Sequence, residues 1–335
     1  MGVNRRLSAS GCMFGLAYGD ALGRPTEFKR YEEIVAVYGP GGPRELTGDP
    51  ALVTDDTQMT LSVAGALLDT GLPVTADRLE PHLRQRFLDW AMSPDNNRAP
   101  GMTCLRSIGR LAEGLPWAEA TDHGSKGCGA NMRVAPVGLL PGLNDEVRAA
   151  VAQFQSALTH GHPTALAASE LTAFAVHWLR AGLLPADLPA ALRERCGTQR
   201  AVYHGDWLGD LWQGPAIAGP EEFIARGWDE CLAVLDRLDA ALRRPDAGGD
   251  PCLATGEGWI AEEALATAAL CFLLHADDPV AALGRAAATS GDSDSIACLA
   301  GAFAGAAHGL DAWPPSWAER IEYRSDLARV ASAWD

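Results

Sequence analysis

Apolar positions recur along this chain with the period of an α-helix. Met59, Leu61, Ala64, Leu67 and Leu68 share one helical face. Alanine- and leucine-rich stretches with the same period predict helices near residues 7–22, 76–92, 103–113, 145–158, 163–181, 189–196, 220–244, 261–275, 279–289 and 295–308. Strict apolar–polar alternation is missing. Val35-Ala36-Val37 and Leu52-Val53 are the only faintly strand-like spots. Residues 38–43 and 93–101 are rich in glycine, proline and short polar side chains and read as loops. No repeat period stands out, and no linker is long enough to divide the chain. The pattern predicts an all-α fold, with residues 1–335 forming a single domain.

The first predicted helix carries Gly11, Gly15 and Gly19 at four-residue spacing. Each glycine costs a helix roughly 1 kcal/mol against alanine. Three on one stripe therefore predict a second backbone packed against it. Gly19-Asp20-Ala21-Leu22-Gly23 ends this helix, and Pro25-Thr26-Glu27-Phe28 opens a loop. Glu27 is then either a solvated loop charge or a site residue placed just past a buried helix end.

Polar residues break the apolar pattern most sharply at two helix starts. Gly291-Asp292-Ser293-Asp294-Ser295-Ile296 precedes a run of small and apolar residues up to Ala307. Thr54-Asp55-Asp56-Thr57 precedes the Met59–Leu68 face. Asp, Ser and Thr at a helix start also serve as caps for free backbone N–H groups, so capping is the competing reading of each cluster. Two adjacent aspartates flanked by threonines exceed what a cap needs. Asp292 and Asp294 would point to opposite sides of a regular helix, but can converge in a turn before it. Carboxylate and hydroxyl oxygens suit Mg²⁺, Mn²⁺ or Ca²⁺, whereas zinc prefers histidine or cysteine. Asp55, Asp56, Asp292 and Asp294, with Thr54 and Ser295, form such a set. Four carboxylates brought together would be balanced by two divalent ions. A glycine-rich segment at residues 124–133 is either a tight turn or a loop whose backbone N–H groups approach a phosphate.

Composition narrows the partners. At 47 % apolar and 21 % charged residues, the chain is an ordinary globular protein. Its net charge of −16 disfavours nucleic-acid backbones and anionic membranes, but leaves room for a small anion in a local pocket. None of the eight cysteines forms a CxxC pair, which argues against zinc ribbons and thioredoxin chemistry. Residues 1–6 hold two arginines that no long apolar segment follows, and no span of about 20 apolar residues occurs. A soluble cytoplasmic protein is expected.

Six motifs in order resemble the ADP-ribosylglycohydrolases, the family that includes dinitrogenase reductase-activating glycohydrolase. They lie at residues 11–23, 54–57, 127–136, 158–160, 256–264 and 291–295. The resemblance implies an all-α fold with a dinuclear Mg²⁺ or Mn²⁺ site in a cleft. By motif, Thr54, Asp55, Asp56, Asp292, Asp294 and Ser295 take the ligand positions, with serine at the last where threonine is usual. Asp294 would bridge the two ions. Glu27 matches a loop glutamate near the metals, and Glu27, Asp55 and Asp294 are the carboxylates assigned to catalysis. Gly127, Cys128, Gly129, Asn131 and His160 match positions that contact ADP-ribose. His162 and His177 have no such match and are read as structural or surface residues.

The implied reaction is hydrolysis of the bond between ADP-ribose and an acceptor in a protein or small conjugate, with N-linked arginine first. O-linked serine, O-acetyl-ADP-ribose or ADP-ribosylated nucleic acid are rival substrates. An inactive binder or structural relative, as among eye-lens crystallins, is the rival class. One departure bears on linkage: many members carry Asp-Ile-Gly-x-Thr-Thr where this chain has residues 98–104. Ala99 replaces the aspartate, and Asp95 lies nearby in sequence.

Overall fold

The computed structural model describes residues 7–214, 217–246 and 248–335. Residues 1–6, with their two arginines, lie outside the described residues. Among the described residues every regular element is a helix, and strand-like pairing is limited to three isolated bridges. The all-α expectation holds, and each predicted helix is present within a few residues of its predicted bounds.

Two helices from opposite ends of the chain form the centre. Ser8–Gly23 packs along Ser293–His308, the most extensive helix–helix contact of the fold. Every residue of Ser8–Gly23 is buried, and almost all of its partner. The glycine stripe explains the approach. A methyl on Gly19 would lie 2.0 Å from the Ala297 carbonyl oxygen, and one on Gly301 would lie 2.0 Å from the Gly15 carbonyl oxygen. The second backbone predicted from the stripe is thus the one that carries the second acidic cluster. The last residue closes the arrangement. The Asp335 carboxylate accepts from Ala9 N (2.7 Å) and Ser10 Oγ (2.6 Å), capping the start of the first helix.

The remaining helices wrap this pair. Ala261–Leu274 and Pro279–Ala287 cover Ser293–His308 on one side. Pro163–Ala181 is sandwiched between Asp145–Ala157 and Pro220–Arg243. Asp55–Thr70 pairs with Ala76–Ala91 at the rim. All eight cysteines are buried and free. No helix among the described residues is long and apolar enough to cross a membrane.

Three local expectations change. Val35-Ala36-Val37 is helical, inside Tyr31–Tyr38. Its β-branched residues are overridden by a capping box, in which the Glu33 carboxylate accepts from Arg30 N at 2.8 Å, and by burial of Tyr31 and Ile34 one turn apart. Leu52-Val53 follows a single bridge, Ala51 to Ile321, and no ladder forms. The helix expected from residue 295 begins at Ser293, so Asp294 stands in its first turn and Asp292 precedes it.

Candidate active site

The ends of the central helix pair open into a cleft of about 320 Å³. Asp55 and Asp56 enter it from the start of Asp55–Thr70, and Asp292, Asp294 and Ser295 from the start of Ser293–His308. Glu27 reaches it from the loop after the first helix. Thr26 fixes that loop. Its buried hydroxyl lies 2.7 Å from both Gly23 O and Ala287 O, and 3.0 Å from Ser293 Oγ. Carboxylate oxygens of Glu27, Asp292 and Asp294 all lie within 4.8 Å of one another.

Each helix start can be tested against simple capping. At the first, Thr54 is the cap residue and its hydroxyl accepts from Asp56 N. The capping duty therefore falls on Thr54 and leaves the Asp55 and Asp56 carboxylates free. Asp55 is oriented by Gly101 N, which donates to its Oδ2 at 3.0 Å. Asp56 Oδ1 is buried without any partner. At the second start, Asp292 occupies the cap position but its side chain makes no cap hydrogen bond. Gly291 brings it in: a methyl there would lie 1.8 Å from Glu257 O, the same oxygen that accepts from Asp292 N at 2.8 Å. Capping thus leaves both aspartates of the first cluster and Asp292 of the second unexplained.

Burial and mutual repulsion raise the carboxylates of the cleft. Burial, reinforced by Asp294, pushes Asp56 and Asp292 well above the usual carboxylate range. The same two causes raise Glu27 to about 9. Burial lifts Asp55 to about 7 against the pull of the Gly101 N–H. Asp294 is a repelling neighbour of each of these groups, so it sits at their electrostatic centre. Among the described residues no lysine or arginine lines the cleft. An orphaned buried oxygen, an all-oxygen donor set and the lack of a basic side chain together fit a hard divalent cation.

The opposite wall is the glycine segment. Gly127 and Gly129 line the cleft beside His160. Burial, then Arg133, lowers His160 to about 3, so its ring is neutral. Arg133 donates to Thr159 Oγ1 at 2.8 Å, and that hydroxyl is hydrogen-bonded to His160 Nδ1 at 2.8 Å. His160 Nε2 lies on the side of the Gly127–Gly129 backbone. Cys128 and Asn131 are buried behind the wall. Asn131 Nδ2 donates to Ala261 O at 3.0 Å and holds the segment in place. Thr54 likewise stands behind the aspartates. His162 caps Pro163–Ala181 by accepting from Thr164 N, and the His177 ring packs edge-on against Phe174.

Two features escape sequence reasoning. Asp20, fully buried, accepts from Thr54 N (2.9 Å), Thr54 Oγ1 (2.9 Å), Thr57 N (3.0 Å) and Thr57 Oγ1 (2.5 Å). It ties the first acidic cluster to the central helix. A carboxylate inside a glycine-striped, wholly buried helix was the available signal. Phe28 and Trp259, also at the cleft, stack on each other from loops far apart in sequence, and nothing local announces that pair. The departure at residue 99 is not repaired by Asp95. Its carboxylate accepts from Tyr323 OH at 2.9 Å and does not line the cleft, whereas Ala99 does.

Comparison with known proteins agrees with this arrangement. A family model described as ADP-ribosylglycohydrolase matches residues 1–334. ADP-ribosyl-[dinitrogen reductase] glycohydrolase of Rhodospirillum rubrum is 27 % identical over 324 residues, covering 94 % of this chain and 90 % of that protein. ADP-ribosylarginine hydrolase Tri1 of Pseudomonas putida is 25 % identical, covering 96 % of this chain and 76 % of the relative. A solved structure titled "ADP-ribosylglycohydrolase-related protein complex" superposes with a TM-score of 0.70 at 25 % identity, over 99 % of this chain and 98 % of that one. With a family model matched along residues 1–334, this protein belongs to the ADP-ribosylglycohydrolase family.

Proposed function

We propose that this enzyme hydrolyses the N-glycosidic bond between ADP-ribose and an arginine side chain, with two divalent cations, Mg²⁺ or Mn²⁺, in the acidic cleft. The observation that carries this reading is the convergence of Glu27, Asp55, Asp56, Asp292 and Asp294 in a cleft that no lysine or arginine among the described residues lines. The arginine linkage follows the name of one relative, an ADP-ribosylarginine hydrolase. Asp55, Asp56, Asp292, Asp294 and Ser295 hold the cations, with Thr54 behind them. When bound, these ions neutralise the carboxylates and supply Lewis acidity toward ribose hydroxyls and a water.

The chain's own groups do the rest. The Gly127–Gly129 backbone and the His160 ring hold the ADP-ribose, with Cys128 and Asn131 fixing the segment from behind. Asp55 and Asp294 face the ribose side and stabilise the positive charge that builds at the anomeric carbon. Glu27, the least buried of the five carboxylates, exchanges a proton with the attacking water or the departing nitrogen. The carbon–nitrogen bond breaks, water oxygen joins the anomeric carbon, and its proton ends on the acceptor. Ala99, in place of the usual aspartate, is the reason an O-linked substrate is tested beside arginine.

The test is release of free ADP-ribose from defined peptides carrying arginine- or serine-linked ADP-ribose, by the full chain with Mg²⁺ or Mn²⁺. Preferential cleavage of the arginine linkage is expected. Cleavage of the serine linkage alone would overturn the arginine assignment, and cleavage of neither would favour the inactive-binder reading.

A further inference from the structure

Neither member of the ion pair Arg98–Glu322 lines the cleft, yet the pair is anchored on both sides of its first acidic cluster. Glu322 lies between the helices Pro315–Arg320 and Arg324–Ser332. Ala51 N donates to Arg320 O at 2.7 Å, and Glu322 N donates to Ala51 O at 3.0 Å. This single bridge sets Glu322 beside Val53, and there the ion pair takes over both backbone polar groups of Val53. The Val53 N–H donates to Glu322 Oε2 at 3.0 Å, and the Val53 carbonyl accepts from Arg98 Nη1 at 2.5 Å. The charges themselves meet at two points: Arg98 Nη1 to Glu322 Oε2 at 2.6 Å, and Nη2 to Oε1 at 2.9 Å. Each side chain is only 15 % exposed. A bidentate guanidinium–carboxylate pair in such a place fixes geometry as well as charge.

The neighbouring chain decides what the pair holds. Val53 directly precedes Thr54-Asp55-Asp56. Arg98 directly precedes Ala99-Pro100-Gly101, which lines the cleft. Gly101 N is the donor to Asp55 Oδ2. Loop and helix start are thus joined twice, by the ion pair outside the cleft and by the Gly101–Asp55 bond inside it. The backbone beside both charges is strained. Ala99 has φ 51°, although a residue before proline normally keeps a negative φ. Tyr323, directly after Glu322, has φ 55°. Residues other than glycine rarely adopt this left-handed region, and they persist in it where surrounding contacts over-determine the backbone. Next to Ala99 those contacts are the ion pair and the Gly101–Asp55 bond. Next to Tyr323 they are the ion pair and the bond from Tyr323 OH to Asp95, in the same loop as Arg98.

We infer that Arg98 and Glu322 are positioning residues, whose ion pair holds the Ala99–Gly101 loop against the start of Asp55–Thr70 so that the Gly101 N–H fixes the Asp55 carboxylate in the cleft. This rests on the cation reading above, and deepens it by assigning residues outside the cleft that preset one of its carboxylates. The experiment compares Arg98→Lys and Glu322→Gln with the unaltered full chain. Lysine keeps the charge but lacks the fork that serves Glu322 and Val53 together. Glutamine keeps the size and loses the charge. Arg195→Lys is the control, because Arg195 forms a similarly shielded pair with Glu170, at 2.7 Å, and does not line the cleft. Three quantities are read: the urea midpoint without metal, Mn²⁺ affinity by calorimetry, and amide exchange at Gly101 in the metal-free protein.

Arg98→Lys and Glu322→Gln should weaken Mn²⁺ binding about 10–100-fold, the range for groups that orient ligands. Both should speed exchange at Gly101 about tenfold. Arg195→Lys should lower the urea midpoint at least as far, yet leave Mn²⁺ affinity and Gly101 exchange within about twofold. Unaltered Mn²⁺ affinity and Gly101 exchange in both loop variants would overturn the inference and leave an ion pair that serves stability alone. Equal changes in Arg195→Lys would also overturn it, since they would mark a general loosening of the fold. If the unaltered protein takes up no Mn²⁺, the cation reading fails, and Gly101 exchange by itself then decides whether the ion pair holds the loop.

Discussion

The two acidic helix starts look alike in sequence and behave differently in the structure. At the first, Thr54 caps the helix, Asp20 gathers the Thr54 and Thr57 groups, and Asp55 and Asp56 are left to face the cleft. Capping and site-building coexist there, divided among neighbouring residues. At the second, Asp292 holds the cap position without capping, and its carboxylate turns to Glu27 and Asp294. The lesson is that a cap-like motif is not evidence against a site. What discriminates is whether the carboxylates themselves spend their oxygens on the helix.

The largest effect should come from the second start. Asp294→Asn removes the charge shared by every other carboxylate, and is expected to lower kcat/KM roughly a thousandfold and abolish the metal-induced rise in Tm. Retained activity would show that the second cluster is structural. Next comes the joint between the halves. Gly19→Ala places a methyl 2.0 Å from Ala297 O, between Asp20 and the helix of Asp294. Overpacking against backbone should cost about 3 kcal/mol of stability in urea unfolding. A loss under about 0.5 kcal/mol would mean that the two helices separate freely.

Asp20→Asn tests the first start alone. An amide cannot accept from the four donors that Asp20 serves, so metal affinity should fall about 10–100-fold, the range for groups that orient ligands. Calorimetric titration with Mn²⁺ measures it; an unaltered affinity would leave Asp20 as a mere buried acid. The smallest effect is the pH dependence. Folding raises Asp55 from 3.8 to about 7 and Glu27 from 4.5 to about 9. A carboxyl raised on folding stabilises fully below its unfolded pKa, and that contribution is lost as pH rises through the folded one. The metal-free Tm should therefore fall steadily between about pH 4 and 9. Saturating Mg²⁺, which binds the ionised form, should offset the fall increasingly toward high pH. A metal-free Tm that climbs over this range would contradict the buried-carboxylate picture.

Much of this was legible in the chain, and the reasons for success and failure are physical. Periodicity of 3.6 residues is a local property, so the helices, the glycine stripe and the acidic starts could be read directly from sequence. The faint strand signal at Val35-Ala36-Val37 came from its β-branched residues, which the capping box of Arg30 and Glu33 just upstream overrides. His160 could be placed by motif, but its neutral state needed its burial and Arg133 beside it.

The sequence by itself determined an all-α protein with two oxygen-rich helix starts and a first helix able to meet another backbone closely. Only the tertiary structure decided that the two starts share one cleft, that Asp20 bears the first of them, and that no lysine or arginine among the described residues lines it. It also decided that Phe28 and Trp259 meet at the mouth. Helix formation is governed by neighbours a few positions apart. Charge convergence and aromatic stacking depend on which distant backbones come together, and here that was set by glycines that let Ser8–Gly23 lie directly against Ser293–His308.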